Sequence, residues 1–114
     1  MSNNPLTTHV LDTSAGCPAA GLEITLEKRT AGKFQRVGEG RTNADGRLSQ
    51  PLISDGWGAG VYRIRFDTGA YFEASGTPGF YPYVEVVFEV REPDSHYHVP
   101  LLLSPYGYST YRGS

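Results

Sequence analysis

The sequence has few of the residues that mark several common classes of protein. Only one of its 114 residues is a cysteine, and 10 Lys and Arg are balanced by 12 Asp and Glu. A single cysteine excludes an intramolecular disulfide framework and a cysteine-based zinc site. The near-neutral charge lacks the basic footprint of a nucleic-acid-binding protein, so we expect no nucleic-acid partner.

Long hydrophobic stretches are also absent. No apolar run approaches the roughly 18 residues of a transmembrane helix. Residues 1–5 are polar and lack the basic and apolar regions of a signal peptide. We therefore expect a cytoplasmic protein without membrane contacts. The length fits a single domain, 1–114, with a core of its own.

The pattern that is present is typical of an all-β sandwich. The 14 Gly and 8 Pro separate short segments in which apolar and polar residues alternate, which predicts seven or eight strands. One short helix is predicted over 68–75, with Asp67 or Thr68 as its cap and Gly76 and Pro78 at its end. The Asn-Ala-Asp-Gly segment at 43–46 is interpreted as a turn, because a calcium loop would need further ligands and a closing Glu. Strands are predicted at 7–13, 22–27, 34–42, 62–66, 83–91, 96–103 and 108–112.

Alternation along two of these strands turns histidines outward. In the strand at 96–103 the odd-numbered residues form the apolar, core-facing set, so His98 and Leu102 point away from the core. In the first strand Val10 faces the core, so His9 and Leu11 point outward. Two solvated histidines are one interpretation of this pattern. An outer surface that mixes Leu, Pro, His and Tyr favours the other, a face covered by a further protein chain.

Four further residues have simpler interpretations. Pro100 cannot donate a backbone hydrogen bond inside a strand, so we expect a bulge or an unpaired position there. His96 lies beside the predicted turn at 93–95 and is interpreted as an exposed residue, and Cys17 as a free thiol in a loop. Asp12 has core-facing parity, so it is not an evident partner for His9.

Several segments together resemble one protein family. They are TTHVLD at 7–12, GRT at 40–42 running on to Gly46 and Arg47, VEVVF at 84–88, and LLLSPYGYSTY at 101–111. In combination they resemble the transthyretin superfamily over nearly the whole chain. The terminal YRGS at 111–114, taken with His9, Arg47 and His98, is similar to the enzyme branch of that superfamily, 5-hydroxyisourate hydrolase.

The resemblance implies an architecture and an assembly. The expected fold is a transthyretin-like (prealbumin-like) two-sheet sandwich of eight strands, with a short helix after the fifth. The expected assembly is a homotetramer, a dimer of dimers, whose central channel is lined by the sheet that holds the first and the last two strands. Alternation already assigns His9 and His98 to the outer face of that sheet. We therefore expect the sites at the dimer–dimer interface.

The resemblance also implies a reaction. It is the hydrolysis of 5-hydroxyisourate to 2-oxo-4-hydroxy-4-carboxy-5-ureidoimidazoline in urate catabolism, with no metal or other cofactor. By this resemblance His9 and His98 activate water and protonate the leaving ring nitrogen, in an order that the sequence leaves open. Arg47, with its planar and permanently charged fork, stabilises the oxyanion.

The C-terminal residues complete the site that the resemblance implies. Ser114 is expected to be catalytic, through its hydroxyl or through the terminal carboxylate. The last strand is expected to run almost to the end of the chain and to hold this tail at the channel. Gly113 lets backbone approach a substrate closely. The expected substrate-binding positions are Leu102, Tyr111, Arg112 and Gly113.

Two other functions are compatible with the predicted fold. Transthyretin itself shares the fold and the channel, so a non-catalytic carrier of hormone type is the main alternative. The resemblance implies that the carrier branch lacks the set formed by His9, Arg47, His98 and the terminal tetrapeptide. A generic interaction module would explain the strands and leave the placement of the histidines unexplained.

Overall fold

The computed structural model describes residues 4–114, which form two four-stranded sheets and one helix. The strands are β1 (Leu6–Asp12), β2 (Cys17–Pro18), β3 (Glu23–Thr30), β4 (Lys33–Arg41), β5 (Gly60–Phe66), β6 (Val84–Val90), β7 (Tyr97–Ser104) and β8 (Gly107–Thr110). The helix α1 (Thr68–Ala74) follows β5. The predicted two-sheet sandwich of eight strands, with one short helix after the fifth, is therefore confirmed. No helix in the described range is long and apolar enough to cross a membrane.

The first strand shares a sheet with the last two, as expected. One sheet has the order β2-β1-β7-β8 and the other the order β4-β3-β5-β6. β1 pairs with β7 in parallel, whereas every other neighbouring pair of strands is antiparallel. The core consists of the apolar side chains that both sheets turn inward, among them the fully buried Val10, Leu26, Tyr62 and Leu101.

Side-chain burial confirms the predicted faces of β1 and β7. In β1 the buried residues are Leu6, Thr8, Val10 and Asp12, and His9 is half-buried between them. In β7 all four odd-numbered residues are buried. Pro100 has outward parity and is nevertheless buried, so the outer face of this sheet is partly covered within the chain itself.

Two local expectations need correction. Residues 16–18 do not simply end the first strand, because Gly16 has φ 71° and lets Cys17 and Pro18 turn back and pair with β1. Cys17 therefore lies in strand β2 and not in a loop. Its thiol is free, as predicted, and it is exposed. Asp67 precedes the helix without capping it. Its carboxylate instead accepts a hydrogen bond at 3.0 Å from Nε of Arg65, whose full charge makes it the stronger partner.

A hydrogen bond between Tyr71 and Asp12 fastens the helix to the first sheet. The Tyr71 hydroxyl donates to Oδ2 of Asp12 at 2.8 Å, and Oδ1 of Asp12 accepts from the backbone N–H groups of Ser14 and Ala15. Burial alone would raise the pKa of Asp12, but these donors outweigh it and hold the pKa below its ordinary value. Burial, followed by the hydrogen bond to Asp12, raises the pKa of Tyr71 to about 12.

We expect Asp12→Asn to lower the free energy of unfolding at neutral pH by about 1.5–3 kcal/mol, the usual range for hydrogen bonds to a charged group. A carboxylate with a lowered folded-state pKa stabilises the protein above its unfolded pKa, and this contribution disappears as the pH falls through the folded pKa. The difference between wild type and variant should therefore shrink below about pH 4. Urea unfolding at several pH values measures it. Asp45→Asn, in an exposed turn, is the control, and a constant difference across pH would contradict the assignment.

Candidate active site

His9 and His98 lie on one outer face because β1 and β7 are neighbours. The parallel register places Thr7 beside His98 and His9 beside Pro100. Adjacent strands are about 4.8 Å apart and two residues rise about 6.6 Å, so the Cα atoms of the two histidines are roughly 8 Å apart. Both side chains are half-buried. Imidazoles at this spacing can act on opposite sides of one small molecule.

The turn at 43–46 brings Arg47 to the same sheet. The Asn43 N–H donates to the Arg47 carbonyl at 2.7 Å, and Oδ1 of Asn43 accepts from the Arg47 N–H at 3.2 Å. Gly46 has φ 74°, and its carbonyl accepts from the Val10 N–H at 2.9 Å. A Cβ on Gly46 would lie 2.4 Å from the Val10 carbonyl oxygen and 3.4 Å from Cδ2 of His9. Only glycine fits this contact, which fixes Arg47 at the strand that carries His9.

The surroundings of His98 lower its pKa. Burial is the largest cause that lowers the pKa of His98 below its ordinary value, and the positive charge of Arg47 is the next. His96 and His9 lower the pKa of His98 further. Because a neutral imidazole has a free lone pair, this environment keeps His98 available as a base.

Thr7 and His96 complete the cluster around His98. Oγ1 of Thr7 lies 2.8 Å from Nδ1 of His98 and 2.9 Å from Nε2 of His96. Nδ1 of His96 lies 3.1 Å from the backbone carbonyl of Asn4. His96 is exposed, as predicted, but it also belongs to this chain of hydrogen bonds. The sequence did carry a signal for Thr7, since it has the same outward parity in β1 as His9.

The C-terminal tail reaches His98 after a break in the β7–β8 ladder. β8 ends at Thr110, two residues before the predicted end. The next residue lies opposite Pro100, which has no backbone N–H to donate to it. Oγ1 of Thr110 donates to the Pro100 carbonyl at 2.7 Å. The β1–β7 pairing continues through Pro100 without a bulge, so the expected bulge is absent and the position is unpaired only toward β8. Pairing resumes in the same register at His98 and Gly113, where the Gly113 N–H donates to the His98 carbonyl at 2.8 Å.

Gly113 is in contact with the imidazole of His98. A Cβ on Gly113 would lie 2.5 Å from Cδ2 of that ring and 3.2 Å from its Cγ, so only glycine allows the tail to cover the histidine. Gly113 was expected to approach a substrate closely, and within this chain it approaches the His98 ring.

The other predicted site residues occupy distinct places. Arg112 stacks its guanidinium 4.1 Å from the centre of the Tyr97 ring, and its Nη2 donates to the His96 carbonyl at 3.2 Å. Tyr111 and Ser114 are exposed on either side of these anchored residues. Leu102 is half-buried on the outer face, beside Leu11. Within the chain, Arg112 therefore holds the tail in place.

The arrangement combines two imidazoles with a guanidinium and is suited to acyl chemistry. One histidine can accept a proton from water and the other can return one to a leaving nitrogen. The exposed side chain of Arg47 can bring a permanent positive charge to an oxyanion. Among residues 4–114, no three His, Cys, Asp or Glu side chains are grouped as metal ligands would be.

Comparison with known proteins identifies the class. Residues 6–113 match the model of the HIUase/Transthyretin family. A relative named 5-hydroxyisourate hydrolase 2 from Rhizobium meliloti is 48% identical over 114 residues, covering 96% of this chain and 95% of its own. The chain therefore belongs to the HIUase/Transthyretin family.

Solved structures of both branches resemble this fold. Transthyretin from Sparus aurata has a TM-score of 0.91 at 35% identity, covering 97% of each chain. The 5-hydroxyisourate hydrolase of Klebsiella pneumoniae has a TM-score of 0.84 at 34% identity, covering 96% of this chain and 98% of its own. These likenesses do not separate an enzyme from a carrier, so the choice depends on the site residues.

We expect Arg47→Gln to raise the pKa of His98, because the substitution removes a positive charge that disfavours the imidazolium. Titration of the His98 ring protons by NMR measures the change. Arg36→Gln, which makes the same change of charge on β4 where Arg36 pairs with Glu39, should leave the pKa of His98 where it is. An unaltered pKa in Arg47→Gln would show that Arg47 does not face His98.

Proposed function

We propose that this protein hydrolyses 5-hydroxyisourate. The observation that carries the proposal is the convergence of Arg47, His96 and His9 on His98, whose pKa they and burial lower, with the tail bound to the same residue. Relatives named 5-hydroxyisourate hydrolase, such as one from Mus musculus at 46% identity over 98% of this chain, support the substrate.

The reaction needs a base, an acid and a positive charge from the protein. Water adds to the ring carbonyl, the carbonyl–nitrogen bond breaks, and the proton that water loses is returned to the leaving nitrogen. His98, whose surroundings favour the neutral form, is suited to accept the proton from water, and His9 in its imidazolium form is suited to give one to the leaving nitrogen. A proton then passes from His98 to His9 through solvent, which restores both residues for the next turnover. Arg47 neutralises the charge that develops on the carbonyl oxygen. The product is 2-oxo-4-hydroxy-4-carboxy-5-ureidoimidazoline.

A carrier of the transthyretin type is the alternative function. A carrier needs a complementary cavity, whereas it has no use for a neutral imidazole beside a fixed cation. The Gly113 contact also argues against it, because a tail that packs on a histidine ring is a costly restraint on a chain end that is usually frayed. The set of site residues thus favours the hydrolase.

The proposed assembly is a homotetramer, a dimer of dimers, in the cytoplasm. A single sandwich of this size has its site on an open sheet face, where water would weaken the electrostatic interactions. The half-buried Leu11 and Leu102 continue this face beyond the histidines. A second sheet laid across the face would enclose the substrate, so the dimer–dimer interface is the proposed place of the sites.

We expect the purified protein to accelerate the decay of freshly generated 5-hydroxyisourate, followed by ultraviolet absorbance. His9→Ala and His98→Ala should each lower kcat at least about a hundredfold, the usual contribution of a general acid or base. Light scattering and circular dichroism should show an unchanged assembly and fold. Decay no faster than in buffer would favour the carrier, and near-normal activity of one variant would remove that histidine from the mechanism.

The tail provides a second test. We expect Gly113→Ala to lower kcat, because the new methyl group would overlap the His98 ring, and deletion of residues 111–114 to abolish activity. Gly107→Ala is the matched control, since its Cβ would make only an ordinary contact of 3.6 Å with the Ser104 hydroxyl. A fully active truncated protein would show that the tail is only structural.

A further inference from the structure

The hydroxyl of Thr7 lies between two ring nitrogens, and it has only one hydrogen to share. It lies 2.8 Å from Nδ1 of His98 and 2.9 Å from Nε2 of His96. A hydroxyl in this position donates to one nitrogen and accepts from the other. The direction of these two bonds decides which nitrogen of His98 carries its proton.

The hydrogen bond between His96 and the Asn4 carbonyl sets the direction of both Thr7 hydrogen bonds. Nδ1 of His96 lies 3.1 Å from the Asn4 carbonyl, and a carbonyl can only accept, so Nδ1 of His96 carries a proton. In a neutral His96, Nε2 is then bare and accepts from the Thr7 hydroxyl. The Thr7 oxygen in turn accepts from Nδ1–H of His98, which leaves Nε2 of His98 with the lone pair.

We propose that Thr7 and His96 are positioning residues that hold His98 in the Nδ1–H tautomer, with Nε2 as its basic nitrogen. The proposal rests on the proposed function for its consequence in catalysis. Free imidazole side chains favour the opposite tautomer, in which Nε2 carries the proton. Without the two partners, part of the His98 population would therefore lack a lone pair at Nε2.

The C-terminal tail is hydrogen-bonded to the backbone of both His96 and His98. Gly113 donates to the backbone carbonyl of His98, and Arg112 donates to that of His96. Ring contact from Gly113 also restricts the orientation of the His98 imidazole. The charged and titratable groups that face His98 are Arg47, His96 and His9. None of them replaces the Thr7 hydroxyl at Nδ1 of His98.

Thr7→Val tests the proposal, because valine keeps the shape of threonine and removes the hydroxyl. Long-range proton–nitrogen correlation spectra of the labelled protein at about pH 8, above the ordinary imidazole pKa range, report which ring nitrogen of His98 is protonated. We expect Nδ1–H in the wild type and a shift toward Nε2–H in Thr7→Val and in His96→Phe. Thr7→Ser should restore the wild-type spectrum.

Activity provides the second readout. Loss of a partner that orients a metal-bound histidine typically costs tenfold to a hundredfold. By analogy we expect a loss of this size in kcat, with little change in KM. Thr13→Val is the matched control, since the Thr13 hydroxyl on the same chain segment donates to the Leu103 carbonyl and touches neither histidine.

The spectra test the positioning role of Thr7 and His96, and the wild-type kinetics test the proposed function. A wild-type His98 in the Nε2–H form, or a Thr7→Val variant with unchanged tautomer and kcat, would overturn the proposal. If the wild type does not hydrolyse 5-hydroxyisourate, the proposed function is wrong. The tautomer in the wild type and in Thr7→Val still decides whether Thr7 and His96 orient His98.

Discussion

The parallel pairing of β1 with β7 holds the site together, because it joins the two segments that carry the histidines. Its register is supported outside the ladder by the Thr8 hydroxyl, which donates to the Val99 carbonyl at 2.6 Å. A slip of one residue would turn His9 or His98 into the core and expose apolar residues. The burial of Val10 and Leu101 makes such a slip costly, so hydrophobic packing on one face fixes the chemistry on the other.

Proline and glycine in the C-terminal region act together on this scaffold. Pro100 interrupts the ladder between β7 and β8, and Gly113 allows pairing to resume against the His98 ring. The interruption lets Arg112 turn its side chain onto Tyr97 while the backbone stays in register. Proline usually weakens a sheet. Here Pro100 leaves a gap in the ladder in which Arg112 contacts Tyr97 before the chain pairs with His98.

The alternation of apolar residues was sufficient to predict the sandwich and the outward faces of His9 and His98, because the two-residue period is a local property. Arg47 was predicted as a site residue from family resemblance alone. Sequence reasoning missed the roles of Thr7 and His96, since their contacts depend on which strands are neighbours. It also missed β2 and the early end of β8, because strand pairing depends on distant segments as much as on local composition.

The order of the strands has a consequence for synthesis in the cell. Thr7 and His9 are synthesised well before their neighbours on β7, and before the tail that pairs with His98. The central strand β1 therefore stays without its parallel partner until β7 has been synthesised. A polypeptide interrupted before β7 would leave one edge of β1 unpaired and its apolar residues exposed, which makes it a target for chaperones and proteases.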